Sequence, residues 1–159
     1  MISFHSVLPE LAQREVRCVH VGPGANVAPV SALPADEYAY FEYYCDDLHC
    51  DCRRVLLQVI AKAQPGKIFA SISYGWDDEA FYRKKMPWNP DDARGTVRGE
   101  LDPLNEQSEF AAEFLDLFRR FVLDEPYRLR LRRHYKLLRE ELARRDTPGN
   151  SGGNRTLQT

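Results

Sequence analysis

Residues 40–60, YFEYYCDDLHCDCRRVLLQVI, place three of the chain's four cysteines within eight residues, between two apolar runs. This stretch restricts the possible folds more than any other. Aromatic and β-branched residues favour strands. The run at 37–44 and the run at 53–63 therefore read as strands joined by the cysteine loop. In an extended segment residues i and i+2 point the same way, so Cys50 and Cys52 stand side by side. Cys45 ends the incoming strand, and the turn at DDLH returns the chain towards it. Three sulfurs are thus expected to converge at one end of a sheet.

The neighbouring segments extend that sheet. REVRCVHVG (14–22) alternates, with Val16, Cys18 and His20 on one side, as a strand does. KIFASISYG (67–75) follows QPG, a turn signal. The stretch at 22–36 is rich in Gly, Pro and Ala and reads as a loop. DDEAFYRKKM (77–86) carries acids first and bases last, which suits a helix dipole, with Asp77 as the expected cap. Residues 87–105 read as loop. Phe110, Phe114, Leu117, Phe118 and Phe121 then recur at helical spacing, with Asn105 as N-cap. Pro126 opens a last helix whose apolar stripe is Tyr127, Leu131, His134, Leu138 and Leu142. The expected class is α+β: an antiparallel sheet of about four strands (14–75) packed against C-terminal helices. The 159 residues suit one domain over 1–145, with a polar, disordered tail at 146–159.

The chemistry of three clustered thiols depends on the compartment. The first residues lack a basic region followed by an apolar run, so no signal peptide is expected. No apolar run is long enough to span a bilayer. The expected location is the cytoplasm, where thiols stay reduced, which favours metal ligation over disulfides. Soft thiolates select zinc or iron–sulfur chemistry. Structural zinc takes four ligands in a tetrahedron. Cys45, Cys50 and Cys52 supply three, and His134, on the buried stripe of the last helix, is the first choice for the fourth. His49, the Cys18/His20 pair and water are the alternatives. Asp46, Asp47 and Asp51 surround the thiols and should keep them protonated without a cation. Arg53 and Arg54 stand ready to offset a zinc–thiolate centre. The bland counterpart is a set of incidental buried cysteines.

The segments YYC, CDCRRV, SYGW, LDPLN and RHY together resemble a family of uncharacterised bacterial proteins, over roughly residues 37–136. The resemblance implies that Cys45, Cys50, Cys52, Arg53 and Arg54 belong to one site. It also marks Gly75, Trp76, Asp102 through Asn105, His134 and Tyr135 as family positions. It implies no activity.

Charge is unevenly distributed. Residues 36–51 carry six acids and no Lys or Arg, whereas 126–145 carry eight bases and two acids. The basic helix can meet nucleic-acid phosphates, but no nucleic-acid-binding motif accompanies it, and a solvated face is the simpler reading. Trp76, Tyr82 and Trp88 read as a core edge or an oligomer contact rather than a ligand pocket. Phosphate-loop, HExxH and GxSxG signatures are absent. The sequence therefore points to a small zinc-binding α+β domain acting as a non-catalytic binding module. A hydrolase with an open zinc position and a nucleic-acid binder are the rivals.

Overall fold

The computed structural model describes residues 1–25, 33–87 and 92–146. The tail expected to be disordered lies from residue 147 onward outside the described residues, as does Trp88. Strand β3 (Asp36–Tyr44) turns Tyr38, Tyr40, Glu42 and Tyr44 into the interior, in strict alternation. β4 (Arg54–Ala61) pairs antiparallel with it from Tyr38↔Ala61 to Tyr44↔Val55. β5 (Gln64–Gly75) folds back on β4. β2 (Arg17–Val21) lies along the other edge of β3. These are the four strands expected from the sequence. Two short strands complete a six-stranded sheet: β1 (Ile2–Ser3) on the β2 edge of β3, and β6 (Glu100–Leu101) outside β5.

Aromatic packing joins this sheet to the helices. Tyr38 meets Phe69 and Phe114 edge-on, and Tyr40 stacks on Phe118. Phe114 sits on α5 (Ala111–Leu117), which runs into a π-helical turn at Phe118–Val122. The long helix α6 (Glu125–Asp146) buries Tyr127, Leu131, His134 and Leu138, the expected stripe, with Leu142 half-buried. Each large apolar side chain so buried contributes roughly 1.5–3 kcal/mol. No helix among the described residues is long and apolar enough to cross a membrane.

Several local expectations are corrected. The first residues form α1 (Phe4–Val7) and α2 (Pro9–Glu15), which carry too little pattern to be read in advance. The segment read as loop at 87–105 contains α4 (Asp92–Arg98) and β6. So short a helix owes its existence to packing rather than propensity, and α4 buries Ala93 and Thr96. Helix α3 (Glu79–Lys85) is capped by Asp78, not Asp77: the Asp78 carboxylate accepts from the N–H of Phe81 at 2.8 Å. Asn105 does not cap the aromatic helix, which starts six residues later. Its amide donates to Asp102 at 2.9 Å, and Asp102 also accepts from the N–H of Leu104 in a side-chain-closed turn.

The end of β5 is closed over tightly. A Cβ on Gly75 would lie 2.4 Å from the Tyr82 ring of α3 and 2.8 Å from the Thr96 methyl of α4. Only glycine admits that approach. It fixes Tyr82 so that its hydroxyl donates to the carbonyl of Arg53 at 2.7 Å, inside the cysteine loop.

Candidate metal centre

The loop between β3 and β4 is built around three sulfurs. It opens at Cys45, directly after β3, and closes at Arg53, directly before β4. A tight turn returns the chain: the N–H of Cys50 donates to the carbonyl of Asp47 at 3.1 Å, and the Asp47 carboxylate accepts from the N–H of His49 at 2.8 Å. As a result Cys45, Cys50 and Cys52 hold their sulfurs within 4.8 Å of one another, each half-buried. Two backbone N–H groups are aimed at this cluster. That of Asp47 acts to lower the Cys45 thiol and that of Arg54 to lower the Cys52 thiol, each against the effect of burial. Each N–H sits two residues beyond the sulfur it serves. Such donors favour the anionic form of the acceptor.

Arg53 lies between Cys52 and Arg54. It adopts φ 48°, the only non-glycine residue with positive φ among those described. A side chain in that region is uncommon and strained. The strain is held by an extensive set of contacts. The guanidinium donates to both oxygens of Asp51 at 2.8 and 2.9 Å and to Asp77 at 3.1 Å. It also lies over the Phe81 ring at 4.6 Å. The sequence placed Arg53 as a counter-charge to the sulfurs. The structure uses it to set the backbone.

Helix α6 reaches the same loop through Arg139. Its guanidinium donates to the carbonyls of Cys50 at 2.9 Å, Asp47 at 3.2 Å and Leu48. It also lies 5.3 Å from the centre of the Tyr135 ring. The last helix thus touches the cysteine turn through an arginine and not, as expected, through His134 on a shared zinc.

The electrostatics differ in cause from the sequence reading. Burial pushes the Cys52 thiol up to about 12; the Arg54 N–H acts in the opposite direction, and the neighbouring Cys50 and Cys45 sulfurs push it further up. Burial also raises Cys45. The aspartates expected to do this are engaged elsewhere, Asp51 by Arg53 and Asp46 by the amino terminus at 3.2 Å. Half-buried sulfurs this close together disfavour accumulating negative charge, and a bound dication would reverse that balance, because coordination deprotonates a thiol. The cluster can hold a metal ion, and its donor set suits a soft one.

His134 is not brought to the sulfurs. Its Nδ1 lies 2.7 Å from Glu42 Oε2 and its Nε2 lies 3.0 Å from Glu15 Oε2, while Phe4 stacks on its ring at 4.2 Å. Both nitrogens are thus committed to carboxylates. The reason lies in β3, where strict alternation buries Glu42 among tyrosines. A buried carboxylate requires a partner, and His134 together with the Tyr44 hydroxyl at 2.8 Å provides it. Cys18 and His20 are also distant. Cys18 pairs with Ala39, six residues up β3 from Cys45, about 20 Å at strand rise. His49 is exposed and lines a cavity of about 370 Å³ beside the thiols, with Cys50, Cys52, Arg54 and Lys85 on its walls. No fourth histidine, cysteine or carboxylate among the described residues joins the three sulfurs.

Comparison with protein-family models, with curated proteins and with solved structures finds no match to this chain.

Proposed function

We propose that the chain is a small zinc-binding domain in which Cys45, Cys50 and Cys52 hold the ion as a structural element of a non-catalytic binding module. The observation that carries the reading is the convergence of three sulfurs within 4.8 Å. Tetrahedral zinc–thiolate geometry separates its sulfurs by about 3.8 Å, within that limit. The grip of Arg139 on the loop carbonyls is a support such a centre needs. His49, which lines the cavity beside Cys50 and Cys52, or water would supply the fourth ligand. The cytoplasm, where thiols stay reduced, is the compartment this site suits.

The test is metal analysis of protein purified without a histidine tag, followed by thermal melts with and without chelator. Near-stoichiometric zinc is expected, lost in Cys50→Ser, with a clear drop in stability on chelation. Melts unmoved by chelation would reject the structural role even if zinc were present.

The cavity at the open position favours one second reading, a hydrolytic zinc centre with a bound water. That reaction needs a base within reach of the water. Asp51, the carboxylate on the cavity wall, has both oxygens bound by Arg53. The structural reading therefore stands first. Turnover of ester or phosphodiester substrates by the zinc-loaded protein, abolished in Cys50→Ser, would reverse that order.

A further inference from the structure

The basic excess of α6 is mostly spent within the chain. Arg130 and Arg133 are directed to Glu15, Arg139 to the cysteine loop, Lys136 to Glu140, and Arg144 and Arg145 to Glu141. Two arginines are left over. The side chains of Arg128 and Arg132 make no hydrogen bond or ion pair with any described residue. They stand four residues apart, on one side of the helix, where like charges repel. Both face a cleft of about 740 Å³, and across it Arg98, at the end of α4, is equally without a partner among the described residues.

The carboxylates in the cleft wall do not balance these charges. Asp77 is held by Arg53, Asp116 by Arg120 at 3.0 Å, and Asp78 caps α3. Arg119 donates twice to the carbonyl of Gly99, at 3.0 and 2.7 Å, and so keeps its full charge. Asp78, whose cap bond is to a neutral N–H, and Glu125 are the remaining acids, two against the four of Arg98, Arg119, Arg128 and Arg132. The same cleft carries apolar surface. Trp76 is half-buried in its wall, and Leu129 is 54% exposed on its rim, one of three large apolar side chains so exposed among the described residues.

Guanidinium groups without acceptors, beside an apolar wall, match a ligand with several negative oxygens and a planar body. Arginine forks bind phosphate oxygens in pairs, and the cleft volume lies in the range of small-ligand sites. We propose that this cleft binds a phosphate-bearing small molecule of the nucleotide class, with Arg98, Arg128 and Arg132 on the phosphates and Trp76 and Leu129 against the planar body. The site is separate from the cysteine cluster, and its test does not require the metal reading to hold.

The experiment is calorimetric titration of the full chain with adenosine triphosphate, with inorganic triphosphate and with a short single-stranded oligonucleotide. Each titration is repeated on Arg128→Gln/Arg132→Gln and on Arg144→Gln, all three proteins being checked for equal melting behaviour. The expected result is saturable binding of one nucleotide per chain, weakened by salt. The double variant should weaken it about tenfold or more, and Arg144→Gln should leave it unchanged. Inorganic triphosphate should bind more weakly than the nucleotide. Absence of saturable binding at millimolar nucleotide would overturn the proposal, as would an equal loss in Arg144→Gln. Inorganic triphosphate binding as tightly as the nucleotide would refute the planar-body contact. Affinity that rises with oligonucleotide length far above that of the nucleotide would replace the small-molecule site with a nucleic-acid surface.

Discussion

Replacing Arg139 by methionine isolates the grip of the last helix on the cysteine loop. Methionine keeps most of the stem that lies along Tyr135 but removes every donor. Three bonds are lost, to the carbonyls of Asp47, Leu48 and Cys50. A hydrogen bond from a charged donor contributes about 1.5–3 kcal/mol when buried. These carbonyls are partly exposed and regain water, so about 1 kcal/mol for each of the two shorter bonds is the better figure. The stacking of the guanidinium on Tyr135 at 5.3 Å adds about 0.5 kcal/mol. The variant should therefore lose about 2–3 kcal/mol in urea denaturation of the metal-free protein. Because the same contacts orient the turn bearing Cys50, zinc affinity should also fall, by about tenfold or more. A loss below about 0.5 kcal/mol, the level of an ordinary surface substitution, together with unchanged zinc affinity, would refute the claim that α6 positions the loop.

Three further outcomes follow from the same structure. His134→Leu strands the Glu42 carboxylate on the buried face of β3 and should cost about 3 kcal/mol or more, with most of it regained in His134→Leu/Glu42→Leu; guanidinium melts of the single and double variants decide this. Gly75→Ala drives a methyl group into the Tyr82 ring and should cost about 1–3 kcal/mol, read by thermal melting. Asp102 is pushed up by burial, but bonds from Asn105, the Leu104 N–H and the Ser73 hydroxyl outweigh this and hold its carboxyl below the usual range. Its contribution is thus present above the ordinary aspartate value of about 4 and is lost as pH falls through the folded value, so Asp102→Asn should flatten the acid limb of a stability–pH curve.

Much of the sheet was legible because its signals are local. The tyrosines of β3 and the valines and leucines of β4 alternate or run together as strands must, and the cysteine turn between them follows from side-chain period. The cysteine cluster was legible for the same reason: i, i+2 spacing and a tight return bring sulfurs together without tertiary help. The partner of His134 was not read, although a trace of it was present. Glu42 shares its parity with Tyr38, Tyr40 and Tyr44, so a strand with a buried face had to bury a carboxylate and find it a cation or donor. The roles of Arg53 and Arg139 left no such trace. One depends on a left-handed backbone and a distant Asp77, the other on the angle at which α6 crosses the loop. Helices α1, α2 and α4 are too short to show a period and exist through what they pack against.

The most direct test of the central claim is X-ray absorption at the zinc edge of the protein as purified. Zinc held by Cys45, Cys50 and Cys52 should show three sulfur scatterers at about 2.3 Å and one lighter atom at about 2.0 Å, reduced to two sulfurs or lost in Cys50→Ser. A shell of nitrogen and oxygen alone, or protein that takes up no zinc with its thiols fully reduced, would contradict it.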